Sequence, residues 1–84
     1  MATTHQADVR ALAEAMARML VEAPEEVEVT AEESSHGIEL ELFVAESDMG
    51  RIIGRSGRTA RCIRNILSAA ADKQGKRCSL DIVE

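Results

Sequence analysis

Apolar side chains recur along the first part of the chain with the spacing of an amphipathic helix. They stand three or four residues apart from about Thr4 to Glu22, which predicts a helix over this range. Thr3 or Thr4 can cap its start, and Ala23-Pro24 is expected to end it. The side chains on its predicted inner face are Val9, Leu12, Ala13, Met16 and Leu20. Such a face usually packs on a core, so we predict no ligand here.

Three later segments alternate between apolar and polar residues, which is typical of strands with one buried face. They are residues 27–32, 38–44 and 77–82, and a turn at residues 34–37 joins the first two as a hairpin. The residues predicted to face inward are Val27, Val29, Ala31, Ile38, Leu40, Leu42, Val44, Cys78, Leu80 and Ile82. The outer face carries the solvated residues Glu28, Glu32, Glu39 and Glu41. Phe43 also falls on that face, where it either contacts a partner or covers a strand end.

Two further helices are predicted between the hairpin and the last strand. Ser47 or Glu46 can cap a short helix over residues 48–53, with Asp48 in its first turn against the helix dipole. Gly50 is expected to let another backbone, of the protein or of a ligand, come close. A longer helix spans residues 59–73. Its predicted inner face is formed by Ile63, Ile66, Leu67 and Ala70, and its exposed side carries Arg58, Arg61 and Arg64.

The resulting order of elements, α-β-β-α-α-β, predicts an α+β fold. We expect a three-stranded sheet packed on one face by three helices, as one domain over residues 1–84. Phe43 is the only aromatic residue, so any recognition of nucleic acid works without the aromatic platforms on which bases stack.

The sequence predicts neither a membrane span nor a metal or cofactor site. No apolar run approaches the roughly 18 residues of a span, and no secretory signal precedes the first helix, which favours a soluble, cytoplasmic protein. Cys62 and Cys78 stand far from each other and from His5 and His36 in sequence. We therefore interpret the cysteines as reduced and mostly buried thiols.

Charge is distributed unevenly along the chain. The net charge is −5, but residues through Gly50 carry two basic and twelve acidic side chains, and residues from Arg51 onward carry eight basic and three acidic ones. One half is expected to repel a polyanion and the other to attract it, so a nucleic acid would bind in a fixed orientation.

The basic half is centred on the loop Gly54-Arg55-Ser56-Gly57. Glycine accepts positive φ and has no side chain, so a G-x-x-G segment allows a tight reversal with Arg55 and Ser56 at its tip. If a helix begins after Gly57, its free N–H groups favour an anion such as phosphate. The alternative is a structural corner in which Gly54 caps a helix and Gly57 permits close packing.

A basic G-x-x-G loop between two helices, preceded by Ile52-Ile53, resembles the K-homology (KH) domain. The element order is similar to the type II arrangement of that domain. The run from Asp48 to Thr59, and the chain length, are similar to the KhpA family of small bacterial RNA-binding proteins.

The resemblance implies a clamp for the backbone of about four unpaired nucleotides. Gly54, Arg55, Ser56 and Gly57 would form it, with Thr59 beside it. Its basic flanks would be Arg51 and Arg58, and the apolar floor under the bases would include Ile52 and Ile53. Arg61 and Arg64, on the exposed side of the long helix, are predicted to bind RNA as well. Ala60 stands where KH domains often have a larger aliphatic residue, which makes that floor shallower. The resemblance further implies a cytoplasmic RNA chaperone or post-transcriptional regulator that forms a homodimer, or a heterodimer with a larger KhpB-like protein, in cell-shape homeostasis.

Three other functions compete with RNA binding. An enzyme requires a nucleophile, base or metal constellation, and none is found among the motifs of the sequence. The second alternative is a KH-like module used only for protein interaction or dimerisation, which the negative net charge of the chain favours. Single-stranded DNA is the third alternative, since a phosphate clamp with a shallow floor discriminates the sugar poorly.

Overall fold

A computed structural model describes residues 6–83, which form an α+β fold with a three-stranded sheet and three helices. The helices are α1 (Gln6–Leu20), α2 (Met49–Ile53) and α3 (Arg58–Asp72). The strands are β1 (Glu28–Ser34), β2 (Gly37–Phe43) and β3 (Cys78–Val83). Single 3₁₀ turns at Pro24–Glu26, Glu46–Asp48 and Arg55–Gly57 connect them. The predicted order of elements is confirmed; Thr3 and Thr4, predicted to cap α1, lie outside the described residues.

The sheet has the order β1-β2-β3, with β1 antiparallel to β2 and β2 parallel to β3. The parallel pair follows from the connection, because α2 and α3 carry the chain from the end of β2 back to the start of β3. The register sets Leu40 beside both Ala31 and Leu80. The hydrophobic side of the sheet is therefore continuous across all three strands.

The core lies between this side of the sheet and the helices. It contains Val9, Ala13, Ala17, Val27, Val29, Ile38, Leu40, Leu42, Ile52, Ile63, Leu67, Ala71 and Leu80. The glutamates of β1 and β2 that alternate with these residues are exposed on the opposite side of the sheet, as predicted. Phe43 is half-buried and pairs in register with Val83. Within residues 6–83, no helix is long and apolar enough to cross a membrane.

Three predictions of buried side chains are wrong. Ile66 is 48% exposed and Leu20 is 39% exposed, although both were expected to be buried. The thiol-bearing residue Cys62 is also exposed. The buried stripe of α3 follows Ala60, Ile63, Leu67 and Ala71 instead, and in α1 it includes Ala17. Small alanines let the helices approach the sheet closely and leave the larger neighbours at the rim.

Candidate nucleic-acid interface

The loop between α2 and α3 makes the predicted tight reversal. The backbone N–H of Gly54 donates to the carbonyl of Gly50 at 2.8 Å and ends α2, and that of Gly57 donates to the Gly54 carbonyl at 3.1 Å. Gly54 and Gly57 have φ values of 77° and 74°. Ser56, between them, also has a positive φ, of 56°. Gly54 thus serves both as the helix cap and as the first residue of an exposed loop.

The tip of this loop is open to a ligand. Arg55 and Ser56 are exposed, and Arg58 and Arg61 are exposed where α3 begins. Within residues 6–83, Arg55, Arg58 and Arg61 make neither an ion pair nor a side-chain hydrogen bond. Gly57 at the N-cap offers no side chain to the first N–H groups of α3. Three guanidinium groups and a helix N-terminus therefore surround the tip, an arrangement that favours phosphate.

Two other predicted site residues, Arg51 and Arg64, are engaged with the protein. Arg64 donates from Nε to the carbonyl oxygen of Leu80 in β3, at 3.1 Å. Arg51 forms ion pairs with Asp48 at 3.2 Å and with Glu22 at 3.0 Å. The five predicted arginines of the site are thus divided: within residues 6–83, Arg55, Arg58 and Arg61 are free, and Arg51 and Arg64 are held.

Asp48 fixes α2, and with it the start of the loop, to the end of α1. Its carboxylate is 2% exposed and accepts hydrogen bonds from the backbone N–H groups of Glu22 and Ala23, both at 3.1 Å. The sequence pattern predicted only a dipole partner in the first turn. Asp48 instead occupies the N-cap position of α2 without a side-chain cap bond to it. The predicted caps Ser47 and Glu46 make no such bond either, since the 3₁₀ turn Glu46–Asp48 precedes the helix.

The predicted apolar floor is only partly accessible. Ile52 is 0% exposed and Ala60 is 4% exposed, so both support the floor from within the core. Ile53 is 38% exposed and opens into a cleft of about 480 Å³ beside the loop. The other residues around this cleft are Val44, Glu46, Met49 and Val83. The interpretation of the sequence missed Met49 and Val83 as site residues, because only the chain fold brings the end of β3 beside α2.

Two neighbouring glycines differ in what they allow. Gly50 faces open space, since no atom lies within 4 Å of a Cβ built there. Of the two backbones predicted to approach Gly50, that of the protein is excluded within residues 6–83, and that of a ligand stays a prediction. Gly54, in contrast, lies against the half-buried residue Thr59.

The thiols and acidic groups form no metal cluster in the part of the chain that the structure describes. Cys62 and Cys78 are both free; Cys62 is exposed and Cys78 is half-buried. Burial raises the pKa of the Cys78 thiol above its ordinary value of 9.0. Cys78 therefore remains protonated and unreactive near neutral pH.

The sequence is similar to that of known bacterial proteins over nearly its whole length. A family model described as KhpA/KhpB, KH domain, matches residues 10–82. The RNA-binding protein KhpA of Halalkalibacterium halodurans is 41% identical over 76 residues, which is 90% of this chain and 100% of the relative. KhpA of Clostridium acetobutylicum is 43% identical over 75 residues, or 89% of this chain and 100% of the relative. KhpA of Leifsonia xyli is 45% identical over 65 residues, which is 77% of this chain and 83% of the relative.

Solved structures of Era share the fold. A variant of Aquifex aeolicus Era bound to GDP and AlF4⁻ matches with a TM-score of 0.71 and 20% identity over 98% of this chain. Era in complex with MgGDPNP and nucleotides 1506–1542 of 16S ribosomal RNA matches with a TM-score of 0.71 and 21% identity over 95% of this chain. This chain spans 31% and 30% of the two Era chains. At this identity the likeness shows the fold alone.

Proposed function

Because the chain belongs to the KhpA/KhpB family of KH domains, we propose that it binds single-stranded RNA by clamping the phosphate backbone on the loop from Gly54 to Gly57. Relatives that are 41% and 43% identical over their full length carry the name RNA-binding protein. The clamp is formed by the free guanidinium groups around the loop, the first N–H groups of α3 and the hydroxyl of Ser56. The bases lie toward Ile53 and the adjacent cleft.

The observation that carries this proposal is that the loop is exposed and unpartnered in a chain otherwise rich in ion pairs. Arg10, Arg18, Arg51 and Lys76 all pair with carboxylates. Within residues 6–83, Arg55, Arg58 and Arg61 do not, and unlike Lys73 and Arg77, which also make neither an ion pair nor a side-chain hydrogen bond there, they lie on the loop or in the first turn of α3. Acidic residues nevertheless outnumber basic ones by 15 to 10 in the sequence. A module used only for protein contacts would not require this cluster of free positive charge on a glycine-bounded loop.

Unpaired strands are the expected ligand. One loop and one helix end reach few phosphates, and the cleft beside Ile53 admits bases only when they are unstacked. The logarithm of the binding constant should fall linearly with the logarithm of the salt concentration. Each phosphate contacted contributes about −0.7 to the slope, so we expect a total slope of roughly −2 to −4. Preference for a perfect duplex over the same length of single strand would contradict the proposal.

The partners and the cellular role are part of the proposal. One short clamp binds weakly, and two clamps held together raise the effective concentration of the second contact. The protein therefore acts as a homodimer, or as a heterodimer with a larger KhpB-like protein, with both loops free. In this form it serves as a cytoplasmic RNA chaperone or post-transcriptional regulator in cell-shape homeostasis, as one KH unit over residues 1–84 without cofactor or catalysis. Light scattering of the purified chain tests whether it forms the homodimer.

The test of the loop is the double substitution of Arg55 and Ser56 by aspartate. The change leaves both glycines in place and moves the formal net charge from −5 to −8. A matched control is R77D with S35D, which makes the same charge change at two exposed residues beyond the far end of α3. We measure the Kd for single-stranded RNA and for single-stranded DNA of the same sequence, with circular dichroism to verify folding.

The loop variant should lose RNA binding while it keeps its fold, because two carboxylates would face the phosphates. The control should lose only the affinity that the lower net charge removes. Equal binding by the loop variant and the parent would overturn the proposal and leave the protein-interaction module as the function.

A further inference from the structure

Arg51 bridges two carboxylates that differ in their surroundings. Its Nε lies 3.2 Å from Oδ1 of Asp48, and its Nη2 lies 3.0 Å from Oε2 of Glu22. The side chain of Asp48 is 2% exposed, and that of Glu22 is 77% exposed. One edge of the guanidinium is therefore held inside the protein, and the other is paired at the surface.

The buried contact is supported by the other partners of Asp48. Its two oxygens also accept the backbone N–H groups of Glu22 and Ala23. This network keeps the Nε edge of Arg51 in place whatever the side chain of Glu22 does. The surface contact has no such support, since exposed ion pairs are weak and easily exchanged.

Arg51 lies next to the proposed clamp. It stands on α2 three residues before Gly54, where the loop begins, and it is exposed, as are Gly50 and Arg55. No atom lies within 4 Å of a Cβ built on Gly50, so a ligand strand can come close to this side of α2. A strand that passes from the loop along α2 brings a phosphate toward the Nη2 of Arg51.

We propose that Glu22 is a negative determinant of RNA affinity, which occupies the outer edge of Arg51 until a phosphate of the bound strand displaces it. The inference rests on RNA binding at the loop and adds a competing group to it. A phosphate presents oxygens to a guanidinium as a carboxylate does, and forms charge-assisted hydrogen bonds with it. Asp48 holds Nε during the exchange, so Arg51 is already oriented when the phosphate arrives.

This arrangement makes a full contact depend on the path of the strand. An anion held only at the loop tip leaves the Glu22 pair intact. A strand that continues along α2 must break the pair, and it then gains Arg51 as a further contact. Removal of the Glu22 carboxylate should therefore strengthen binding of a strand that reaches Arg51, and should do so only while Arg51 is present.

The experiment compares E22Q with E25Q in the full chain. Both substitutions remove one negative charge, and Glu25 is exposed and nearby but makes no ion pair within residues 6–83. The backbone N–H of residue 22 keeps its bond to Asp48 in E22Q. The Kd for an unstructured single-stranded RNA of twelve nucleotides is measured for the parent, for each variant, and for both variants in an R51Q background. Titration of the Arg51 Nη–H NMR signals in the parent, which report the edge that faces Glu22, gives a second measurement that does not require R51Q to fold.

E22Q should bind about two- to fivefold more tightly than E25Q, as expected for release of one surface ion pair. In the R51Q background the two should bind equally, and in the parent the Arg51 signals should shift on addition of RNA. Equal affinities of E22Q and E25Q in the parent, or unshifted Arg51 signals, would overturn the inference and leave the clamp itself standing. Failure of the parent to bind RNA at all would overturn both.

Discussion

The Oγ1 atom of Thr59 lies 2.2 Å from the place where a Cβ on Gly54 would stand. The backbone nitrogen of Thr59 is also within 2.8 Å of that place. The first residue of the loop is thus packed against the first turn of α3. Gly54 combines φ 77° with ψ 172°, a conformation that is essentially restricted to glycine. Gly57 also has positive φ, but no atom lies within 4 Å of a Cβ built there.

Gly54→Ala should therefore destabilise the protein much more than Gly57→Ala. At Gly57 the cost comes from the left-handed conformation alone, about 1 kcal/mol. At Gly54 the steric overlap with Thr59 and the restricted ψ add to it, which brings the loss to about 3 kcal/mol. Urea denaturation of both variants measures the difference. Equal losses would show that the contact between Gly54 and Thr59 does not constrain the loop.

The buried carboxylate of Asp48 leads to a second prediction. Asp48→Asn replaces one acceptor by an NH₂ group. In one orientation of the amide the backbone N–H of Ala23 loses its partner, and in the other both the N–H of Glu22 and Nε of Arg51 do. We expect a loss of about 1–3 kcal/mol in the free energy of unfolding, since the groups left without a partner are partly buried against Asp48. The exposed neighbour Glu46 supplies the control, and E46Q should be within about 0.5 kcal/mol of the parent. A D48N variant as stable as E46Q would contradict the role of Asp48 as the link between α1 and α2.

Sequence patterning predicted the fold well because each element carries a clear period. The alternation in β1, β2 and β3 and the three- to four-residue spacing in α3 are strong local signals, and the order of elements follows from them. The glycines at both ends of the loop were also informative, since a positive φ requires them or a similarly permissive residue. These features depend on neighbours in the sequence.

The contacts that Asp48 and Arg51 make with Glu22 and Ala23, just after α1, could not be predicted in this way. Asp48 accepts hydrogen bonds from the backbone of Glu22 and Ala23, which stand 26 and 25 positions earlier in the chain. Nothing in the local sequence marks those partners. Likewise, Arg51 and Arg55 have the same residue type and similar surroundings in sequence, yet one is paired and the other free. Asp48 stands three residues before Arg51 and pairs with it locally, but only the packing of α1 against α2 brings Glu22 beside Arg51.

The prediction about Ile66 was wrong for a related reason. A helical period shows which side chains share a face but not how wide the buried part of that face is. In α3 the buried stripe runs along Ala60, Ile63 and Leu67, and Ile66 falls on the flank toward Met19 of α1. Neither Met19 nor Ile66 is covered within residues 6–83, with exposures of 79% and 48%.

Arg61 and Arg64 provide a third prediction, since they lie three residues apart on α3 and yet differ in their contacts. The side chain of Arg61 makes no hydrogen bond or ion pair among the described residues, whereas Arg64 donates from Nε to the Leu80 carbonyl of the edge strand β3. Arg61→Gln should weaken RNA binding and leave the melting temperature unchanged. It should also lower the magnitude of the salt slope by about 0.7, the contribution of one phosphate contact on a single strand.

Arg64→Gln should act mainly on stability. The hydrogen bond to the Leu80 carbonyl joins α3 to the edge of the sheet, and its loss should cost about 1 kcal/mol in the free energy of unfolding. The salt slope should stay that of the parent, because the Nε edge of Arg64 is already occupied by the protein. Titrations of both variants at several salt concentrations, with thermal melts, separate the two roles. If Arg64→Gln lowers the salt slope as much as Arg61→Gln does, the strand also contacts Arg64, and the bond to Leu80 does not withhold that residue from RNA.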